Sequence, residues 1–229
     1  MKTIIIKIAS IVVSVLTAAP LAFCQGFVNL DFESARIIPL TSGGNFPPYS
    51  VATTNALPGW TVYYGASQQS QVTYNDPALG STFVTLWATN GVQLAGKNSV
   101  LLQGGITDSA ATIAQTGLVP ASAQSLLFFG AGNSSSAPVL LISLGGQNLP
   151  FFAISNGPNY KVYGASISSF AGQTAALTFS ALEDLSGYND WNIDNIQFSS
   201  SPIPEPSALA LSALGGLLSG LRFWKRSPL

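Results

Sequence analysis

Residue types that could carry out catalysis are almost absent from this sequence. It contains no histidine, which excludes Ser-His-Asp and Cys-His nucleophilic sites, histidine zinc sites and imidazole general bases. Its single cysteine, Cys24, lies in an apolar leader, so the remaining chain has no disulfide or thiolate chemistry. Paired carboxylates could hydrolyse a glycosidic bond, but the candidates Glu183, Asp184, Asp190 and Asp194 share one turn-rich stretch of the kind that usually faces water. We therefore predict that the protein is not an enzyme.

Charge is scarce and unevenly distributed along the 229 residues. Only 7% of them are charged, against roughly 25% in ordinary soluble domains. Residues 25–200 contain three basic residues, Arg36, Lys97 and Lys161, against eight acidic ones, a net charge of −5. An acidic domain repels phosphate backbones, and its Gly-rich stretches lack the spacing of nucleotide-binding loops, so we expect no nucleic-acid partner.

The first 24 residues have the pattern of a secretory signal peptide. Lys2 and Lys7 supply a positive start, residues 8–19 form an apolar segment, and Ala22 and Cys24 fit a small-x-small cleavage site. An uncleaved anchor is the alternative, but the apolar stretch is short for a span of about 20 residues. Lipidation of Cys24 is a further alternative, which the bulky residue before it disfavours.

The last 29 residues combine a proline-rich breaker with an apolar segment. Residues 201–206 contain three prolines, through which no central strand can run. Residues 207–224 follow, about 18 residues and about 27 Å of helix, just enough to span a bilayer as a transmembrane helix. Basic residues at the end place that terminus on the cytoplasmic side.

This tail resembles the PEP-CTERM sorting signal, and an ordinary C-terminal anchor is the simpler alternative. The Pro-Glu-Pro tripeptide, the short Gly- and Leu-rich segment and the basic cluster occur in the family's order. The resemblance implies recognition by exosortase, a membrane-embedded cysteine peptidase thought to cleave near the tripeptide. The implied sorting residues are Pro204, Glu205, Pro206, Arg222, Lys225 and Arg226.

Residues 25–200 consist of short β-type runs separated by Gly- and Pro-containing turns. They predict a single antiparallel two-sheet β-sandwich, most simply a jelly roll, as one all-β domain between the two targeting segments. The predicted strands cover residues 28–33, 60–64, 83–88, 99–103, 111–115, 125–130, 139–144, 151–154, 160–163, 175–180 and 191–198.

Both ends of this domain resemble galactose-binding-like jelly rolls of carbohydrate-binding modules. The stretches that carry the resemblance are Asn-Leu-Asp-Phe-Glu at 29–33, Leu-Pro-Gly-Trp at 57–60 and Ile-Asp-Asn-Ile at 193–196. In that family an early acidic residue and a late aspartate often hold a structural calcium, which implies Glu33 and Asp194 here.

A change of phase in the last predicted strand bears on whether this site could bind calcium. Trp191 and Ile193 share one face, whereas Ile196 and Phe198 share the other, which predicts a β-bulge at residues 194–195. A bulge frees carbonyl oxygens that a hard cation prefers. The equally weighted alternative is that both carboxylates are solvated or hydrogen-bonded residues at strand ends.

Aromatic residues are the remaining candidates for ligand binding. Trp60, Trp87 and Trp191 stand beside aliphatic residues and are predicted to be core. The candidates for exposed sugar-binding rings are Tyr63, Tyr64 and Tyr74, which lie at or near the 65–75 loop.

The sequence thus predicts an exported protein of the cell envelope or cell surface, membrane-anchored through its tail until processed. Two functions stay open. One is a non-catalytic surface or extracellular-matrix protein, and the other is a carbohydrate-binding adhesin that recognises exopolysaccharide. Exposed, coplanar aromatic rings in a groove with Asn or Gln nearby favour the second, and a smooth Ser/Thr/Asn face favours the first.

Overall fold

The computed structural model describes residues 25–40, 49–76, 81–88, 93–106, 109–134, 139–185 and 187–203. These residues contain one short helix, α1 (Thr53–Ala56), and one 3₁₀ turn at Ser168–Phe170. The strands in chain order are β1 (Tyr49–Ala52), β2 (Thr61–Tyr64), β3 (Ser67–Gln69), β4 (Gln71–Tyr74), β5 (Phe83–Trp87), β6 (Ser99–Gly104), β7 (Ala111–Leu118), β8 (Ser125–Ser134), β9 (Leu140–Leu144), β10 (Gln147–Asn148), β11 (Phe151–Asn156), β12 (Lys161–Ser166), β13 (Thr174–Ala181) and β14 (Asn189–Ser199).

The strands form two sheets. One has the order β1-β4-β5-β6-β14-β8-β12-β11, and the other has the order β10-β9-β13-β7-β2-β3. This confirms the predicted all-β two-sheet sandwich, while its assignment as a jelly roll stays a prediction. Among the described strands, β4 and β5 pair in parallel, so the expectation of a purely antiparallel sandwich is wrong at that pair. Eight residues, rather than a tight hairpin turn, connect these two strands.

The core lies between the inward faces of the two sheets. Along β13 the buried residues alternate with less buried ones, as the pleat of a half-buried strand requires. Phe128 of β8 meets Phe179 of β13 edge-to-face, with ring centroids 5.3 Å apart, which ties one sheet to the other. Trp60 and Trp191 are each 4% exposed, which confirms both as core residues, whereas Trp87 is half-buried.

The predicted strand over residues 28–33 does not form. Asn29 and Phe32 have φ angles of 52° and 57°, in the left-handed region that strands do not use. The Asn29 side chain accepts a hydrogen bond from Ser34 N at 3.0 Å, and the Asp31 side chain accepts one from Glu33 N at 3.3 Å. These local turns outweigh the alternating pattern, because Asn and Asp favour turns that their own side chains close.

The other ten predicted runs all coincide with strands. Four strands were missed by the pattern: β1, β3, β4 and β10. β3 reads Ser-Gln-Gln and β10 reads Gln-Asn, so neither offers an apolar alternation to detect. Their extended shape comes from pairing with a neighbouring strand, which a local pattern does not record.

The bulge predicted at residues 194–195 is present. The register of β14 against β8 shifts between Asp194 and Gln197, and Asn195 has a φ angle of 46°. Beyond the shift, Ile196 N donates a hydrogen bond of 2.9 Å to Leu30 O. The bulge therefore turns the last strand toward the segment that opens the domain.

The targeting segments fall outside the described residues. These are the signal peptide at 1–24, the sorting motif and the helix predicted at 207–224. Within the described ranges, no helix has the length and apolar character needed to cross a bilayer.

Candidate functional site

A groove of about 410 Å³ lies where β8 extends beyond the end of its neighbour β12. The last pair between these strands joins Lys161 to Gly130, and β8 then continues to Ser134. The turn at 156–160, between β11 and β12, forms the wall beyond the end of β12. The groove thus lies along the end of β8, where the residues beyond Gly130 pair with β14 but no longer with β12.

Two glycines of β8 keep the floor of the groove open. Gly130 stands opposite Lys161, and Gly132 stands opposite Trp191. A Cβ atom at Gly130 would lie 3.0 Å from the ring of Tyr163, so a larger residue would displace that ring. Because alternate residues of a strand share a face, Lys161 and Tyr163 lie on the same face. The glycines leave a space between those two residues and Trp191.

Three aromatic residues, Tyr160, Tyr163 and Trp191, line the groove. Tyr163 and Trp191 have ring centroids 5.6 Å apart at 64°, so they form an angled surface rather than a flat platform. Tyr160 stacks on Phe129, with centroids 4.1 Å apart and planes 12° apart. The Tyr160 ring also lies where a Cβ atom of Gly157 would be, so glycine is needed there. Phe129 lies on the strand face opposite that of Gly130, so the Tyr160 ring packs on the other face of the sheet from Tyr163 and Trp191 and forms part of the groove wall.

Polar groups of the groove are held in place or lack a partner. Asn159 donates a hydrogen bond of 3.0 Å to Gln93 O, which anchors the 156–160 turn. The indole N–H of Trp191 is buried and has no acceptor among the described residues. A buried donor without an acceptor is costly. Lys161 is exposed at the margin.

The tyrosines predicted to bind a ligand lie elsewhere and on two different sheets. Tyr63 and Tyr64 belong to β2, whereas Tyr74 belongs to β4. The Tyr64 hydroxyl accepts a hydrogen bond of 3.1 Å from Val84 N, and its burial raises the pKa of that phenol. Tyr64 and Tyr74 both pack partly buried against the core. A ligand-binding role for these three tyrosines stays a prediction.

A second, smaller cavity contains the two residues expected to bind calcium. It has a volume of about 230 Å³ and is lined by Asp31, Glu33, Asp194, Asn195 and the 95–96 backbone. Although residues 28–33 are not a strand, the turn that replaces the strand still brings Glu33 to Asp194. The two sequence-predicted residues thus share one site, and Asp31 joins them.

The carboxylates of this cavity accept hydrogen bonds from backbone amides. Asp194 accepts from Ala95 N at 2.8 Å and from Asn195 N at 2.6 Å. Glu33 Oε1 accepts from Lys97 N at 2.6 Å and from Asn98 N at 2.9 Å. These bonds are what the hydrogen-bonded alternative predicts. Among the described residues, no group of three or more His, Cys, Asp or Glu side chains is placed to hold a metal.

Burial dominates the electrostatics of Asp194. Its side chain is 1% exposed, and desolvation raises the pKa of its carboxyl to about 7. The two backbone hydrogen bonds lower that pKa, and the nearby charges of Glu33 and Asp31 raise it. A divalent cation would offset the repulsion among these carboxylates, but each Asp194 oxygen already has an amide donor. Calcium at this cavity stays a prediction.

Asp190 and Asp194 of the acidic stretch are too far apart to form a hydrolytic pair. Asp190 and Asp194 are both on β14, and four residues of extended chain separate their Cα atoms by about 13 Å. Glycosidase carboxylates lie roughly 5–9.5 Å apart. Glu183 is exposed in the loop before β14. Asp190 Oδ1 is buried with no donor among the described residues, and burial raises the pKa of Asp190 to about 6.

The described chain ends directly before the sorting motif. Ser125 Oγ donates a hydrogen bond of 2.7 Å to Ser201 O, and the Ile203 side chain packs against Gly164. The sandwich therefore holds the chain up to residue 203. The predicted motif residues Pro204, Glu205 and Pro206, and the basic residues after them, are outside the described residues.

Sequence reasoning did not select the aromatic residues of this groove. Trp191 was predicted to be core, and no local pattern distinguishes Tyr160 and Tyr163 from Tyr63, Tyr64 and Tyr74. One signal was available. The Asn-Gly-Pro-Asn turn at 156–159 ends directly at Tyr160 and Lys161, which places an aromatic and a cationic residue at a turn.

Comparisons with known proteins identify no family. No protein-family model matches the chain, and no curated protein matches its sequence. Among solved structures, the enzymatically active domain of bacteriophage CBA120 tailspike protein 4 is similar with a TM-score of 0.37 and 15% identity. The match covers 62% of this chain and 19% of that one. A likeness of this degree carries no argument about function.

Proposed function

We propose that this chain is a non-catalytic, exported surface protein whose β-sandwich binds carbohydrate through the groove beside β8. The observation that carries this proposal is the groove in which the rings of Tyr163 and Trp191 meet, with Tyr160 in its wall. Sugar rings offer apolar C–H faces to aromatic rings and hydroxyl oxygens to donors. A concave, mostly apolar site with a few fixed polar groups suits such ligands.

The groove also has the pre-organisation that weak ligands need. Tyr160 is held by Phe129 and Gly157, and the turn that carries it is held by Asn159. Groups that are fixed before binding lose little entropy when the ligand arrives. The asparagines at 156 and 159 supply amide groups at the rim. These features favour the carbohydrate-binding alternative over a featureless surface.

The route to the surface is proposed from the two ends of the sequence. The leader at 1–24 directs export, and the tail at 201–229 resembles a signal that exosortase recognises. The sandwich is thus exposed outside the cell, either tethered by the 207–224 helix or released after cleavage. Exopolysaccharide is the carbohydrate nearest to such a protein.

A structural role in the matrix is the second candidate, and one face of the sandwich favours it. The outward face of the six-stranded sheet is lined with hydroxyl residues that bond to one another. Thr112 pairs with Ser180 at 2.8 Å, and Ser143 pairs with Thr178 at 2.7 Å. No charged residue occurs in the six strands of this sheet. A smooth uncharged face suits packing in a dense matrix.

A glycan array with the full-length protein in mild detergent tests the first candidate. We expect binding to at least one glycan, and we expect Tyr160→Ala to weaken that binding about tenfold or more, as for a buried aromatic anchor. Tyr63→Ala is the matched control, because it removes a half-buried tyrosine from the other sheet. Equal binding by wild type and Tyr160→Ala contradicts the groove. Absence of binding to any glycan leaves the matrix role.

A further inference from the structure

We infer that the groove selects acidic carbohydrate, in which the sugar carries a carboxylate such as that of a uronic acid. This inference rests on the proposed function of the groove and adds the class of its ligand. It depends on Lys161, the residue with which β12 begins.

Lys161 gives the groove a charge opposite to that of the domain around it. It is the only charged residue among the described residues that line the groove. Residues 25–200 have only two other basic residues, Arg36 and Lys97, against eight acidic ones. Neither of those two lines the groove. One of the three basic residues of this domain thus lies in the groove lined by Tyr163 and Trp191.

The register of the sheet directs Lys161 toward the ligand space. Lys161 lies on the same strand face as Tyr163, two residues along β12. Its cross-strand neighbour is Gly130, which has no side chain to occupy the space between Lys161 and Ile193 on β14. Among the residues that the structure describes, no acidic side chain lines the groove with it. An incoming carboxylate therefore meets an exposed ammonium group and no competing carboxylate.

The overall negative charge of the domain does not prevent this contact. Charges separated by more than about 8 Å are largely screened at physiological ionic strength. A carboxylate in the groove is thus attracted by Lys161 more than it is repelled by distant acidic residues. Nucleic acid is a poorer fit, because its closely spaced phosphates require several cations along a groove.

Pairs of glycans that differ only in charge test the inference. The probes are oligomers of galacturonate, glucuronate and mannuronate, each beside its carboxyl-reduced neutral counterpart, presented to the full-length protein. We expect the acidic member of at least one pair to bind more tightly than its neutral form. We also expect Lys161→Met to reduce that preference by about fivefold, the effect of one exposed ion pair, and added salt to reduce it as well.

Two controls separate this inference from the function on which it rests. Lys97→Met removes a cation that does not line the groove and should leave the preference unchanged. Tyr160→Ala should weaken both members of a pair. Binding of neutral glycans that depends on Tyr160 but not on Lys161 overturns the acidic class and leaves carbohydrate binding intact. Failure of all probes and of neutral array glycans overturns both.

Discussion

Asp194 accepts a hydrogen bond of 2.8 Å from the backbone N–H of Ala95, although 99 residues separate them in the chain. Glu33 accepts two more from Lys97 and Asn98. The loop at 95–98 is thus held by a carboxylate from each end of the domain. Gly96, at the centre of the loop, has a φ angle of 56° that suits glycine.

This arrangement predicts that Asp194→Ala destabilises the fold. The substitution removes the acceptor of both the Ala95 N–H and the Asn195 N–H and leaves two buried donors without a partner. At pH 5, below the raised pKa of Asp194, the substitution removes no buried charge, and we expect a loss of about 1–3 kcal/mol in the free energy of unfolding, measured with urea. Glu183→Gln, at an exposed position, is the control and should have little effect. An unchanged unfolding midpoint for Asp194→Ala contradicts the role of this contact.

Calcium is the second property to test at the same cavity. We expect chelation to lower the melting temperature and added calcium to restore it, because an ion bound only to the folded state at 100 times its Kd adds about 2.7 kcal/mol. Glu33→Gln should remove the response, and Glu183→Gln should not. A melting temperature that changes neither with chelator nor with added calcium contradicts the calcium site. Backbone amides alone then satisfy these carboxylates.

Asp190 predicts a dependence of stability on pH. Burial raises its pKa from 3.8 to about 6, so between these values the folded state binds more protons than the unfolded state. Below about pH 4 Asp190 is protonated in both the folded and the unfolded state, so its burial carries no charge penalty. As the pH rises through about 6 the buried carboxyl ionises, and the folded state loses that stability. Asp190→Asn should therefore be more stable than wild type at pH 7.5, with a smaller difference at pH 4. An equal difference at both pH values contradicts the raised pKa.

The sandwich could be predicted from the sequence because the apolar residues that become buried recur within each short strand. The change of phase between Ile193 and Ile196 was enough to locate the bulge. The same reasoning failed at residues 28–33, where side chains of Asn29 and Asp31 close turns within an alternating pattern. The groove was beyond local reasoning, because it depends on which strands pair. Trp191 lies opposite Gly132 only through the register of β14 against β8.

The tail makes a prediction that concerns residues beyond the sandwich. In a host that contains exosortase, we expect the surface-released protein to lack the residues after about Pro206, since the tail resembles a processed sorting signal. Intact-mass spectrometry of released protein measures this. Replacement of Glu205 by alanine should leave the protein in the membrane. Released protein that still contains residues 222–229 contradicts processing at the motif.

The indole N–H of Trp191 gives the most direct test of carbohydrate binding by the groove. The protein has four tryptophans, so a ¹H–¹⁵N spectrum resolves up to four indole signals, and Trp191→Phe identifies the relevant one. Trp60 is an internal control, because its indole N–H already donates to Asn29 O at 3.0 Å. On addition of the best glycan from the array, we expect the Trp191 signal to shift with saturation and the Trp60 signal to stay in place. Saturable glycan binding that leaves the Trp191 signal unmoved would contradict the groove as the binding site.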